Sequence, residues 1–246
     1  MNADPAAQLA LLDLQALDTE LAQLAHRRRT LPALAIIAER QKQGAELHLR
    51  TVELETAVGD IAKEQVRLEA DIDVVRQREV RNQQRLDAGG IPAKELSGLE
   101  HELESLKRRQ DTLEDEALEV MERRESTEAQ LVGARTQEAE VGEQQAAAEQ
   151  DRDTAFAEIE AAVASKRASR APLAASIPDD LHDLYDKIRA GHDGVGAAAL
   201  KQRRCQGCHI ELAGSELNEV RNAAADEIVR CDNCRRVLVR TAESGL

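Results

Sequence analysis

The sequence predicts a mainly α protein in which a long antiparallel two-helix coiled-coil hairpin carries a small α+β module at its C-terminal end. Three observations carry that expectation. Aromatic residues make up only 1% of the 246 residues and charged residues 33%, so burial is expected along narrow helix seams and not in a thick core. Leucine, isoleucine and valine recur at coiled-coil spacing on both sides of a single Gly-Gly-Ile-Pro segment. Four cysteines fall in two close pairs near the C-terminus.

The first helix is read from Ala6 to Asp87, with Pro32 as its one proline. Its apolar stripe runs through Leu14, Leu17, Leu21, Leu24 and Leu31, then resumes in another phase as Leu47, Leu54, Val58, Ile61, Leu68, Ile72, Val75 and Leu86. Pro32 is therefore expected to mark a kink and a register break. No basic run precedes the apolar residues of Met1 to Leu12, and Asp13, Gln15 and Asp18 interrupt them before a signal-length segment develops. No stretch approaches the roughly 20 apolar residues of a membrane span, so a cytoplasmic chain with no membrane partner is expected.

Ala88-Gly89-Gly90-Ile91-Pro92 stops the helix and forms the tip, at about 88–92. The second helix offers Leu96, Leu99, Leu103, Leu106, Leu113, Val120, Leu131, Val141 and Ile159 to the seam, interrupted by Gln110, Arg124, Glu138, Gln145 and Arg152. At roughly 1.5 Å per residue, two helices of about 80 residues would make a hairpin on the order of 120 Å long. A turn centred on Gly90 makes facing residues sum to about 181, pairing Leu68 with Leu113, Ile61 with Val120 and Leu24 with Phe156. The same register sets Arg27-Arg28-Arg29 against Asp151 and Asp153, and Lys107-Arg108-Arg109 against Asp71 and Asp73, as flank charges. Pro172 is expected to end this helix, and Pro178 to open a short one through about Arg189 with Leu181, Leu184, Tyr185 and Ile188 on its apolar face. Gly191, Gly194 and Gly196 then read as a flexible connection. The resulting domains are a hairpin over 1–175, a short helix and linker over 176–200, and a terminal module over 201–246.

Cys205-Gln206-Gly207-Cys208 and Cys231-Asp232-Asn233-Cys234 are two C-x2-C knuckles separated by the 22 residues from His209 to Arg230. Two knuckles at such spacing present four thiolates to one tetrahedral ion, which identifies a zinc ribbon with one structural Zn²⁺; an iron centre or a redox thiol pair is the alternative. Four cysteines complete the shell, leaving His209 as a neighbour and no open position for catalysis. Four thiolates and Zn²⁺ sum to −2, a charge that Arg203, Arg204, Arg235 and Arg236 can offset locally. Ile210 and Leu212 read as a strand, Ser215 to Ala225 as a helix, and Ile228-Val229 with Val237-Leu238-Val239 as paired strands.

Together these features resemble the bacterial C4-type zinc ribbon family with a long coiled-coil hairpin. The telling stretches are Ala93-Lys94-Glu95-Leu96-Ser97-Gly98-Leu99-Glu100, similar to the family's Lys-Glu-Tyr-x-Ala-Leu segment, and the stretch from Ile228 through Cys231-Asp232-Asn233-Cys234-Arg235-Arg236-Val237-Leu238, similar to its terminal Cys-Pro-x-Cys-Gly-Arg-Ile-Leu. Leu96 stands where the family favours tyrosine, and Arg235 where it favours glycine, which demands positive φ of a residue with a side chain. The resemblance implies an adaptor or chaperone of the kind that, in flagellated or type III secreting bacteria, binds sigma-54, secretion components or messenger RNA. The alanine- and arginine-rich composition looks actinobacterial, a group generally without flagella or that sigma factor. What carries over is therefore a mode, a rod offering surface and a ribbon offering a recognition tip, and not a partner.

Charge and motif content narrow the function. A formal net charge of −14 disfavours general attraction to nucleic acid or anionic membrane. No nucleophile with a paired base is found, so no enzyme is expected. The leading expectation is a monomeric adaptor or chaperone-like protein with protein partners, with weak self-association through the Leu-rich segments left open. The alternative is RNA or DNA binding through Lys201, Arg203, Arg204, Arg230, Arg235, Arg236 and Arg240 of the ribbon.

Overall fold

The computed structural model describes residues 1–246, apart from the side chain of Ala93. Helices α1 (Pro5–Arg29), α2 (Pro32–Asp87), α3 (Ala93–Ala175) and α4 (Asp179–Gly191) are followed by strands β1 (Ala197–Lys201) and β2 (Arg204–Cys205), helix α5 (Gly214–Asn222), and strands β3 (Val229–Arg230) and β4 (Val237–Val239). The chain divides into two compact units: Met1–Leu34 with Gln150–Leu246, and Ala35–Glu149.

The unit of residues 35–149 is an antiparallel pair made by most of α2 and the first part of α3. Gly89 and Gly90 adopt φ of 69° and 76° at the turn, values that a residue with a Cβ rarely takes, which is why two glycines stand there. Leu54, Leu131 and Ala134 are buried together with Val58 against them. The polar seam residues find partners: Glu138 accepts from Thr51 and pairs with His48, both at 3.0 Å, and Arg124 reaches Gln65 at 3.0 Å and Glu128 at 2.8 Å.

The register differs from the expected one. Arg76–Glu114, Arg78–Glu102, Glu64–Arg123, Glu55–Arg135 and Leu54–Leu131 join residues whose numbers add to values from 180 to 190, centred near 185. Ile72, not Leu68, is buried along with Leu113, and Leu99 is buried while Leu96 stays exposed. A slip of about four residues is about one helical turn, and a stripe repeating every three or four residues matches itself again after that slip. Among the described residues no ion pair links 107–109 to Asp71 or Asp73.

In the other unit, α1 starts with Asp4 as N-cap, its carboxylate accepting from Ala6 N at 2.7 Å, and Pro5 in the first turn, where its missing N–H costs nothing. The helix ends at Arg29 under Thr30, and Pro32 opens α2, so the expected kink is a full break between two helices. Arg27 and Arg28 pair with Glu158 and Glu160 of α3 instead of the aspartates, and Arg28 lies over the Phe156 ring at 4.9 Å. Pro172 does not end α3, which runs on to Ala175. A proline this close to the C-terminus removes one hydrogen bond and leaves the residues after it free to stay helical.

The terminal sheet has the order β2-β1-β4-β3, with β1 parallel to β4 and the outer pairs antiparallel. Its central strand β1 falls in what the sequence reads as linker. Gly196 is no flexible joint: a Cβ there would lie 2.6 Å from the carbonyl oxygen of Tyr185, so glycine alone lets β1 approach α4. One face of the sheet buries Ala197, Val237 and Val239 with Leu11 and Leu14 of α1 and Leu181, Tyr185 and Ile188 of α4. The N-terminus adds to the edge: Ala3 N donates to Asp226 O at 2.7 Å, and Ile228 N to Met1 O at 3.1 Å.

Candidate metal centre

Cys205 ends β2 and Cys231 directly follows β3, so the short sheet delivers one knuckle from each edge. Each knuckle closes in the same way, His209 N donating to Cys205 O at 2.8 Å and Arg235 N to Cys231 O at 2.7 Å. The closing residues take positive φ, 58° at His209 and 60° at Arg235, the conformation that a non-glycine at the second knuckle demanded. The four Sγ atoms lie within 4.8 Å of one another, with Cys205–Cys234 and Cys208–Cys231 at 3.8 Å. That spacing is far beyond a disulfide bond of about 2.0 Å and equals the edge of a tetrahedron with metal–sulfur bonds of about 2.3 Å. The donor set therefore fits one zinc ion.

Burial pushes the Cys205 thiol up to about 12, despite the amides of Cys208 and Gly207 donating to its sulfur. Cys231 is raised for the same reason. Burial also opposes ionisation of Cys234, but the amide and guanidinium of Arg236 and the neighbouring thiols outweigh it and bring the group down to about 7. A cation that gathers the sulfurs takes the place of the protons on Cys205 and Cys231, and all four positions of that cation are then filled. Beside the sulfurs, Leu200, Leu212, Leu217, Val220 and Leu238 form a small core. Leu212 is buried there without belonging to a strand, and the helix expected over 215–225 is α5, its start closed by Glu216 accepting from Ala213 N at 2.9 Å.

The seven basic positions separate into three groups: donors to backbone carbonyls, members of ion pairs, and Arg204. Arg236 donates to the carbonyls of Val195, Gly207 and His192 at 3.0–3.2 Å, tying the second knuckle to the segment before β1. Arg240 donates to the carbonyls of Val220, Ala223, Ala224, Ala225 and Glu227, closing the end of α5 and the loop after it. Arg230 donates to Arg235 O at 2.8 Å, and Arg203 to Gly245 O at 3.3 Å. Lys201 pairs with Glu243 at 2.8 Å and Arg235 with Asp232 at 3.7 Å. Arg204 is exposed and lines an open cleft with Lys201 and His209.

A second polar centre escaped the sequence reading. Asp18, its side chain 1% exposed, accepts from Arg170 Nε at 2.7 Å and the Tyr185 hydroxyl at 2.8 Å and pairs with Arg189 at 3.3 Å. Gln15 Oε1 accepts from Gly196 N at 2.7 Å and from the Tyr185 hydroxyl at 3.2 Å. These groups bind α1, α3, α4 and the start of β1 into one network. In sequence, Gln15 and Asp18 look like polar interruptions of a leucine stripe, and only the partners far along the chain reveal them.

The C4-type zinc ribbon domain matches residues 204–238, and the CT398-like coiled coil hairpin domain matches residues 14–193. The chain belongs to the CT398-like coiled-coil hairpin family. Its relatives include the uncharacterized protein Rv2229c of Mycobacterium tuberculosis, 40% identical over 240 residues that cover 98% of each chain. The uncharacterized protein ML1638 of Mycobacterium leprae is 34% identical, over 87% of this chain and 92% of its own length. A solved structure from Mycobacterium smegmatis shares 37% identity and superposes with a TM-score of 0.86, covering 98% of this chain and all of that one. The structure of CT398 from Chlamydia trachomatis shows the same fold at 19% identity, with a TM-score of 0.71 over 96% of this chain and 98% of that one. The mycobacterial relatives agree with the actinobacterial character of the composition.

Proposed function

We propose that this family member is a non-enzymatic, cytoplasmic, monomeric adaptor that binds protein partners, with one structural zinc ion stabilising its ribbon. The observation that carries the reading is the exposure of large apolar side chains outside the hairpin seam: Val66 and Val132 at 64% and Leu118 at 58%. Side chains of that kind stand largely outside the hairpin's buried seam and offer contact surface to another protein. The closed four-sulfur set supports the non-enzymatic part, since a catalytic zinc keeps a position open. Among the described residues no helix is long and apolar enough to cross a membrane.

The nucleic-acid alternative rests on the cleft at Lys201, Arg204 and His209. It is weakened because Arg236 and Arg240 spend their guanidinium groups on backbone carbonyls. Affinity capture with the intact protein and with Val66→Asp/Leu118→Asp/Val132→Asp tests the two readings together. The adaptor reading expects reproducible protein partners that the triple substitution removes. Capture of RNA that Arg204→Ala abolishes, with no protein partner, would contradict it.

A further inference from the structure

Toward the C-terminal end of α1, a groove of about 680 Å³ runs along the seam between α1 and α3. Its floor is small and apolar: Leu21, Ala22 and Ala25 from α1, Val163 and Ala164 from α3. Its rim is cationic, formed by Arg28, Arg167 and Arg189 with Glu160 as the one acid. We infer that this groove is a docking site for an acidic amphipathic helix of a protein partner. The inference rests on the adaptor reading and adds to the exposed hairpin side chains a separate surface, with the chemistry of what it receives.

Charge and shape point the same way. Glu160 is occupied by Arg28 at 3.4 Å, and Arg167 is exposed with no carboxylate in salt-bridge range among the described residues. Arg189 shares the buried carboxylate of Asp18 with Arg170 and lies 4.0 Å from Asp186, while its Nε is buried without a hydrogen-bond partner. On a chain of formal charge −14, a cationic rim is a local reversal that attracts acidic groups and repels basic ones. The lining residues, floor and rim together, recur at helical spacing over one heptad on each wall, from Leu21 to Arg28 and from Glu160 to Arg167, a run of about 10 Å. Alanines at the bottom of a seam between two helices let a third helix approach closely, its apolar stripe on the floor and its acidic flanks against the arginines. An extended nucleic acid would gain the arginines but nothing from the alanine floor, which offers no stacking surface.

The test uses the full-length, zinc-loaded protein and a fluorescein-labelled peptide designed as a helix with a Leu/Ala stripe flanked by glutamates, followed by fluorescence anisotropy. Controls are the same peptide with lysine for every glutamate and a scrambled peptide of the same composition. Saturable binding of the glutamate peptide is expected, weakened at least about tenfold by Arg167→Glu and by Ala25→Trp, which fills the floor. Arg167→Glu should also improve binding of the lysine peptide. Both substitutions fall on exposed helix positions, and unchanged far-ultraviolet circular dichroism and melting temperature verify the fold. The inference is overturned if the three peptides bind alike, if Ala25→Trp binds like wild type, or if a single-stranded RNA oligonucleotide displaces the glutamate peptide. Partners captured undiminished by Ala25→Trp protein would refute this groove and leave the adaptor reading standing; that reading fails separately, if the intact protein captures none.

Discussion

Asp18 shows how a single buried charge is held. Burial alone would push its carboxyl up, but hydrogen bonds from Arg170 and Tyr185 and the charges of Arg189 and Arg170 outweigh it and keep it below the usual carboxylate range. A depressed folded value means that the stabilisation is complete above the unfolded pKa near 3.9 and is lost as pH falls through the folded value. Asp18→Asn should therefore cost on the order of 3 kcal/mol at pH 7, leaving two arginines without their shared anion, and the gap to wild type should begin to narrow below about pH 4 and close only below the depressed folded value. Urea midpoints at pH 7 and pH 3 measure it. Gly196→Ala would force a Cβ to 2.6 Å from the Tyr185 carbonyl oxygen and should destabilise by about 1–3 kcal/mol in the same assay. Of the ribbon arginines, Arg240→Ala should cost about 2 kcal/mol, because it strips the donors from five carbonyls, whereas Arg204→Ala should change stability by no more than about 0.5 kcal/mol.

At the scale of elements, the hairpin and the knuckles were legible because their signals are periodic or spaced: apolar residues every three or four positions, and cysteines at C-x2-C. Register was not, because the stripe that identifies a coiled coil repeats with the same period as the slip it would have to exclude. A cross-link decides between the two alignments. Leu54→Cys with Leu131→Cys should oxidise to a disulfide in zinc-loaded protein, and Leu54→Cys with Thr127→Cys should not, as a reducing and non-reducing gel would read. Strand β1 was hidden for another reason. Ala197-Ala198-Ala199 has little intrinsic strand preference, and its conformation comes from pairing with β4 and from Tyr185 above it. The N-terminal pairing of Met1 and Ala3 with the segment before β3 likewise has no local signature, since it depends on residues more than two hundred positions away.

At the scale of the molecule, the ribbon is less independent than its spacing implies. Val237 and Val239 belong to the core shared with α1 and α4, while Cys205, Cys231 and Leu217 belong to the smaller one around the sulfurs. Chelation should therefore release the knuckles and α5 first and leave the β1–β4 pair better protected, a gradient that amide hydrogen exchange would show. The four cysteines form a set that fits one zinc ion and leaves no position open, which is what the proposed structural role of the metal requires. Cobalt substitution of the full-length protein tests it most directly. One equivalent of Co²⁺ should give the intense ligand-field bands of a tetrahedral four-thiolate site, unchanged by azide or imidazole and lost in Cys231→Ser. A five-coordinate spectrum, or bands that shift when azide is added, would reveal an open position and contradict the account.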